Sequence, residues 1–66
     1  MSSPIYELHF KILRGNGTSI ATARQDILGE DESEQQMKDR NIREITSLYP
    51  DESVTIVCTS CNVVAE

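Results

Sequence analysis

Two cysteines three residues apart, Cys58 and Cys61, are the residues of this chain best suited to redox chemistry or metal binding. A CxxC pair can be a redox dithiol, half of a zinc site or two unrelated cysteines. A redox pair needs a helix start that lowers a thiol pKa, whereas this pair follows a β-branched run. In a straight strand, residues three apart lie about 10 Å apart on opposite faces. Because that spacing forbids a disulfide or a shared metal, we predict two separate thiols, with Cys58 buried, Cys61 partly exposed and no cofactor.

One alternative for the pair stays open. A structural zinc ion takes four ligands, and one chain offers Cys58, Cys61 and His9 beside its carboxylates. A homodimer could supply four cysteines across its axis. The rival hypothesis is therefore a zinc-stabilised structural dimer.

His9 is the only side chain whose ordinary pKa suits general acid–base chemistry near neutral pH. It alternates with Glu7 and Lys11 on the strand face that points away from the predicted core. Catalysis also needs a positioned partner and a cleft that excludes water, and a sheet with one helix leaves little room for one. We predict a surface or dimer-interface histidine, no catalytic residue and no enzymatic activity.

Four carboxylates cluster before the predicted helix. They are Glu30, Asp31, Glu32 and Glu34. Calcium loops need oxygen ligands at alternating positions around a central glycine, and that spacing is absent. Helix capping and solvation explain much of the cluster, and the remaining hypothesis is a contact surface for a basic partner. We take these four residues as the candidate partner-binding site.

The net charge and the length of the chain limit the possible functions further. The 66 residues carry a net charge of −5, which disfavours binding to nucleic acid or to an anionic membrane. Met1-Ser2-Ser3-Pro4 lacks the pattern of a signal peptide, and no apolar run approaches a membrane span. We expect one domain over residues 1–66, in the cytoplasm and with reduced thiols.

The alternation of apolar and polar residues, together with the turn residues, predicts the strands that position the cysteines and His9. Residues 5–14 have the two-residue period of a strand, and the Gly15-Asn16-Gly17 segment predicts a hairpin turn rather than a phosphate loop, since a strand follows it. The second strand covers roughly residues 18–28, and its small side chains suggest an edge. The β-branched run 54–58 predicts the last strand, with residues 62–64 as an extension.

A helix is predicted between these strands. Ser33 with Gln36, or Asp31 with Glu34, offers a capping-box start, and Pro50 stops the helix. Its predicted apolar side comprises Met37, Ile42, Ile45, Leu48 and Tyr49.

The order β-β-α-β predicts an α+β fold. The most apolar strand, the first, takes the middle of an antiparallel sheet of order 2-1-3, and the helix covers one face. This arrangement leaves two sheet edges and one open face. Free edges favour pairing with another chain, so we expect a homodimer through the second or third strand.

These features favour a small acidic binding protein over an enzyme. The expected function is that of an inhibitor or adaptor that docks on a larger protein, by analogy with accessory proteins of bacterial viruses. The contact would use a sheet edge, the open sheet face or the acidic segment. The alternatives are the zinc-stabilised dimer and a nucleic-acid mimic, and a dimer interface could also enclose a small-molecule pocket.

Overall fold

The structure is a computed structural model that describes residues 3–66; Met1 and Ser2 lie outside the described residues. Its elements are β1 (Ile5–Arg14), β2 (Ser19–Asp26), α1 (Glu34–Thr46) and β3 (Val54–Ala65). The sheet order is β2-β1-β3, and both strand pairs are antiparallel. The predicted α+β fold, strand order and central first strand are confirmed.

The core lies between β1 and α1. Alternate side chains of β1 (Leu8, Phe10 and Ile12) are almost fully buried against Met37 and Ile45 of the helix. The central strand has neighbours on both sides and the helix above it, so its apolar face loses contact with water completely. Burial of this size stabilises a side chain by about 1.5–3 kcal/mol.

The hairpin turn between β1 and β2 forms as predicted. Arg14 and Thr18 close it through a backbone hydrogen bond of 2.9 Å. The Asn16 side chain accepts from the Thr18 backbone N–H at 3.0 Å and from its hydroxyl at 2.6 Å. Gly17 has a φ of +88°, which an L side chain rarely adopts, so glycine fits there.

Helix α1 begins with the predicted capping box, in which Ser33 and Gln36 exchange side-chain-to-backbone hydrogen bonds. It ends at Thr46, earlier than predicted. The backbone N–H groups of Leu48 and Tyr49 bond three residues back, to Ile45 and Thr46, in a tighter turn than an α-helix.

This early end corrects the predicted apolar side of the helix. Leu48 was expected to join the core, but its side chain turns outward and is 73% exposed. The physical reason is Pro50, which disfavours the α conformation for the residue before it. Tyr49 still packs on the core edge, where it is half-buried.

A β-bulge in β3 corrects the prediction for the cysteines. Cys58 lies opposite Phe10 and Cys61 opposite Leu8, with a register shift between His9 and Phe10. Thr59 and Ser60 therefore both lie opposite His9 of β1. Beyond this bulge, the side chains of β3 alternate between the two faces in the opposite phase. Both cysteines consequently face the helix, half-buried against the core. The expectation of a straight strand with the sulfurs on opposite faces was wrong.

The helix does not cover the sheet evenly. It approaches the backbone of β3 more closely than that of β2. On the helix-facing side of β2, Ile20 remains 38% exposed, although Ile12 beside it is buried. This offset leaves the helix-facing side of β2 open.

Deletion of one residue tests the bulge. Without Thr59, Ser60 alone faces His9 and every other side chain keeps its face, so the variant should fold with a loss of about 0.5–1.5 kcal/mol from the lost Thr59–His9 hydrogen bond. Deletion of Val57 also removes the extra residue, but it turns Cys58 to the open face and places Thr59 in the core opposite Phe10. This control should lose more stability than the Thr59 deletion, because a buried hydroxyl replaces an apolar group and the total stability expected at this size is only about 3–5 kcal/mol. Thermal melts followed by circular dichroism would contradict the bulge if the Thr59 deletion costs as much stability as the Val57 deletion.

Candidate binding site

An apolar groove of about 520 Å³ lies between β2 and the C-terminal end of α1. Its floor is formed by Ile12 and Ile45, which are buried in the core. Ile20 and Thr22 of β2 line one wall, and Leu48 lines the other. The early end of α1 creates this site, since it places Leu48 at the rim rather than in the core.

An ion pair across the groove neutralises its charged rim. Arg24 Nη2 of β2 lies 2.8 Å from Glu44 Oε2 of α1, and both side chains are partly exposed. Arg24 Nη1 also donates to the Asn41 carbonyl oxygen at 3.5 Å. The groove is therefore apolar at its floor and electrically balanced at its rim.

The predicted acidic segment contains one carboxylate with a structural role. Glu32 accepts two hydrogen bonds from Arg40, at 2.9 and 2.8 Å, and one from the Gly29 backbone N–H at 2.8 Å. The Arg40 hydrogen bonds, then that of Gly29, lower the pKa of Glu32 to about 2. Glu32 thus fastens the loop that follows β2 to the helix.

The same arginine connects the helix to β2. Arg40 Nη1 lies 2.8 Å from Asp26 Oδ2, and Asn41 Nδ2 donates to the same oxygen at 2.9 Å. Although burial raises the pKa of Asp26, hydrogen bonds from Asn41, Ile27 and Arg40 lower it below its ordinary value.

Asn41 is the buried member of this network. Its side chain is only 1% exposed and also donates to the Met37 carbonyl oxygen at 2.9 Å. Sequence reasoning missed it, yet a signal was present: Asn41 lies midway between Met37 and Ile45 at four-residue spacing, on the buried side of the helix.

The four candidate partner-binding residues do not form one surface. Glu30, Asp31 and Glu32 line an exposed depression of about 400 Å³ together with Asp39. Gln36 and Arg43 complete it. Glu34 is placed elsewhere, near Cys61 and 3.7 Å from Lys38 Nζ. Their binding of a partner stays a prediction, with Glu30 and Asp31 as its freely exposed members.

Internal ion pairs neutralise many of the negatively charged side chains. Five of the eleven acidic side chains lie within 4 Å of a lysine or arginine nitrogen. They belong to Asp26, Glu32, Glu34, Glu44 and Glu52. A nucleic-acid mimic needs free carboxylates in a regular row along one face, so this pairing weakens that alternative.

The two thiols are free and half-buried. Cys58 Sγ donates to the Ser60 carbonyl oxygen at 3.3 Å. Burial, and then the nearby Glu34 carboxylate, raise the pKa of the Cys61 thiol above its ordinary value. A thiol with a raised pKa stays protonated near neutral pH and is a weak nucleophile and metal ligand.

His9 lies on the open face of the sheet, opposite Ser60. Its side chain is half exposed, and Nε2 is 3.8 Å from Glu7 Oε1. Within residues 3–66, no three His, Cys, Asp or Glu side chains are grouped so that they could hold a metal ion. None of the helices in this range has the length and apolar character needed to cross a membrane.

Comparison of this chain with known protein families, curated proteins and solved structures finds no match. The candidate sites therefore depend on the geometry of the chain itself.

The low pKa of Glu32 predicts how stability depends on pH. An unfolded glutamate has a pKa of about 4.3, whereas that of Glu32 is about 2. The ionised carboxylate therefore stabilises the fold above about pH 5, and this contribution is lost as the pH falls from about 4.3 to 2. The variant Glu32→Gln should melt at a lower temperature than the parent at pH 7, and the difference should vanish near pH 2.

Glu30→Gln is the matched control, because Glu30 lies exposed in the same loop. It should leave the melting temperature unchanged across this range. A Glu32→Gln deficit of the same size at pH 7 and pH 2 would contradict the proposed role of the ionised carboxylate.

Proposed function

We propose that this chain is a non-enzymatic protein-binding module, an inhibitor or adaptor, which binds an extended segment of a larger protein in the groove between β2 and α1. The observation that carries the proposal is the position of the groove. It runs beside the free edge of β2, so one partner segment can reach both the backbone of the strand and the apolar floor.

Strand addition explains how such a segment would bind. As an edge strand, β2 has backbone N–H and C=O groups that no other strand of residues 3–66 uses, and an added strand would pair with them. Alternate side chains of that strand point to the helix-facing side. They would enter the groove and cover Ile20 and Leu48.

Charge favours an uncharged, apolar segment as the occupant. Arg24 and Glu44 already neutralise each other at 2.8 Å, so a charged side chain from the partner would find no free counter-charge above the floor of Ile12 and Ile45. Burial of an unpaired charge is strongly unfavourable. The segment would therefore fill the groove with aliphatic or aromatic side chains.

The acidic depression fits a second, weaker role in the same contact. Glu30 and Asp31 follow β2 in the chain and are exposed. Basic residues that flank the bound segment would be attracted there, mainly raising the rate of association. The proposed location is the cytoplasm, where thiols such as Cys58 and Cys61 stay reduced.

Peptide display tests the groove. A library of extended peptides selected on the immobilised chain should enrich uncharged sequences with alternating apolar residues. Leu48→Asp should weaken the selected peptides at least about tenfold, since even partial loss of a leucine contact costs about 1.5 kcal/mol. Leu13→Asp is the matched control: Leu13 is also exposed, but on the opposite face of the sheet. Loss of binding in Leu13→Asp, with Leu48→Asp unaffected, would transfer the site to the open face.

A second measurement tests the acidic segment. The double variant Glu30→Lys/Asp31→Lys should slow association with a peptide that carries basic flanks, by roughly tenfold at low salt, and leave the dissociation rate nearly unchanged. Glu32 is left intact, because its bonds to Arg40 hold the loop. Identical association rates in surface plasmon resonance would remove Glu30 and Asp31 from the binding site.

The zinc-stabilised dimer is the second candidate function. The bulge at Thr59 and Ser60 favours it, because Cys58 and Cys61 face the same side of β3. The raised pKa of Cys61 opposes it. Elemental analysis of the purified chain should find at least half an equivalent of zinc if this candidate holds, and a chelator should lower the melting temperature.

A further inference from the structure

The outer edge of β3 belongs to a long strand without charged side chains. Among the described residues, β3 pairs with β1 on one side and with no strand on the other. Its twelve residues, Val54–Ala65, include no charged side chain, no proline and no glycine. Natural edge strands are usually protected by charges, prolines or bulges, so an edge without charges over such a length needs an explanation.

Bulges protect only the second half of this edge. One lies at Thr59 and Ser60, and a second register shift near Val64 follows. Both bend the strand away from a regular ladder. The first half, Val54–Cys58, is a regular run whose edge lacks all three kinds of protection.

We infer that a second copy of this chain pairs with β3 along Val54–Cys58, antiparallel and with the two-fold axis at Ile56. This inference is independent of the groove. In that register Val54 faces Cys58 of the second copy, Thr55 faces Val57, and Ile56 faces itself. The result is a continuous six-stranded sheet of order β2-β1-β3-β3-β1-β2.

Charge selects a second copy as the occupant of this edge. Each chain carries a net charge of −5, so most approaches of two copies are repulsive. Along β3 no charged side chain of one copy meets one of the other. The β2 edge is less suitable for a second copy, because β2 carries the charged Arg24 and Asp26 and pairing there would bring charged side chains of both chains to the contact.

Side-chain contacts on both faces of the sheet accompany the pairing. On the open face, Val57, which is 45% exposed, would be covered by Thr55 of the second copy. On the helix-facing side, the half-buried Ile56 would meet its symmetry mate. The paired segment supplies about five backbone hydrogen bonds against about ten in a typical interface, so the dimer is weak and depends on concentration.

Sedimentation equilibrium of the full chain tests this inference. The mass should rise from 7.4 kDa towards twice that value between about 10 µM and 1 mM, the range of a small, weak interface. A monomer throughout this range would overturn the inference.

Two exposed positions test the register. Thr55→Lys or Val57→Glu alone places two like charges at diagonal positions, about 7–8 Å apart across the axis, and each should weaken the dimer roughly two- to fivefold at low salt. The double variant Thr55→Lys/Val57→Glu instead sets each introduced lysine opposite an introduced glutamate of the second copy, and should restore dimerisation to the level of the parent. Failure of the double variant to restore it would overturn the proposed register.

Matched charges on the other edge are the control. The control variants are Ala21→Lys and Ala23→Glu. Both alanines are exposed on the same open face of the sheet, on β2. Neither should change the dimer, and a loss of dimerisation in these variants would assign the interface to β2 instead. Circular dichroism of each variant checks that the fold is intact. A lower mass in sedimentation equilibrium then reports loss of the dimer and not unfolding.

Discussion

The architecture depends on one geometric constraint: a single helix must cover three strands. A helix with its side chains is about 10 Å wide, whereas three strands about 4.8 Å apart span about 14 Å. One edge strand must therefore remain partly uncovered. In this chain the helix lies towards β3, where Cys58 and Cys61 contact the core, and β2 is left open. The apolar groove follows from this offset.

Polar contacts hold the helix in place on the β2 side, where the apolar core ends. On the β2 side, Arg40 binds both Asp26 and Glu32, and Asn41 shares Asp26. Partly exposed ion pairs usually contribute little, but a network around one arginine is stronger than separate pairs. Because these contacts connect the helix to β2 at the Asp26 end, the strand is free of the helix at its Ile20 end. The position of the network thus determines which end of the groove is open.

Much of the fold could be predicted from the sequence, because local signals agreed with one another. The alternation of β1, the Gly15-Asn16-Gly17 turn and the Ser33–Gln36 capping box each fixed one element, and the strand order followed. The bulge at Thr59 and Ser60 could not be predicted, since alternation in β3 is visible only against its partner strand. The groove was missed for a related reason: Leu48 continues the helical period, and only the tighter turn before Pro50 turns it outward.

The two proposed contacts lie on opposite edges of the sheet, and this arrangement has a consequence for binding. Pairing through β3 would leave both β2 edges free at the outer limits of a six-stranded sheet, about 24 Å apart. Both grooves would remain accessible, since neither lies near the two-fold axis. A partner with two suitable segments, or a partner that is itself a dimer, would then bind at both sites with a high effective concentration for the second contact. A symmetric target would in this way be bound more firmly than a single isolated segment.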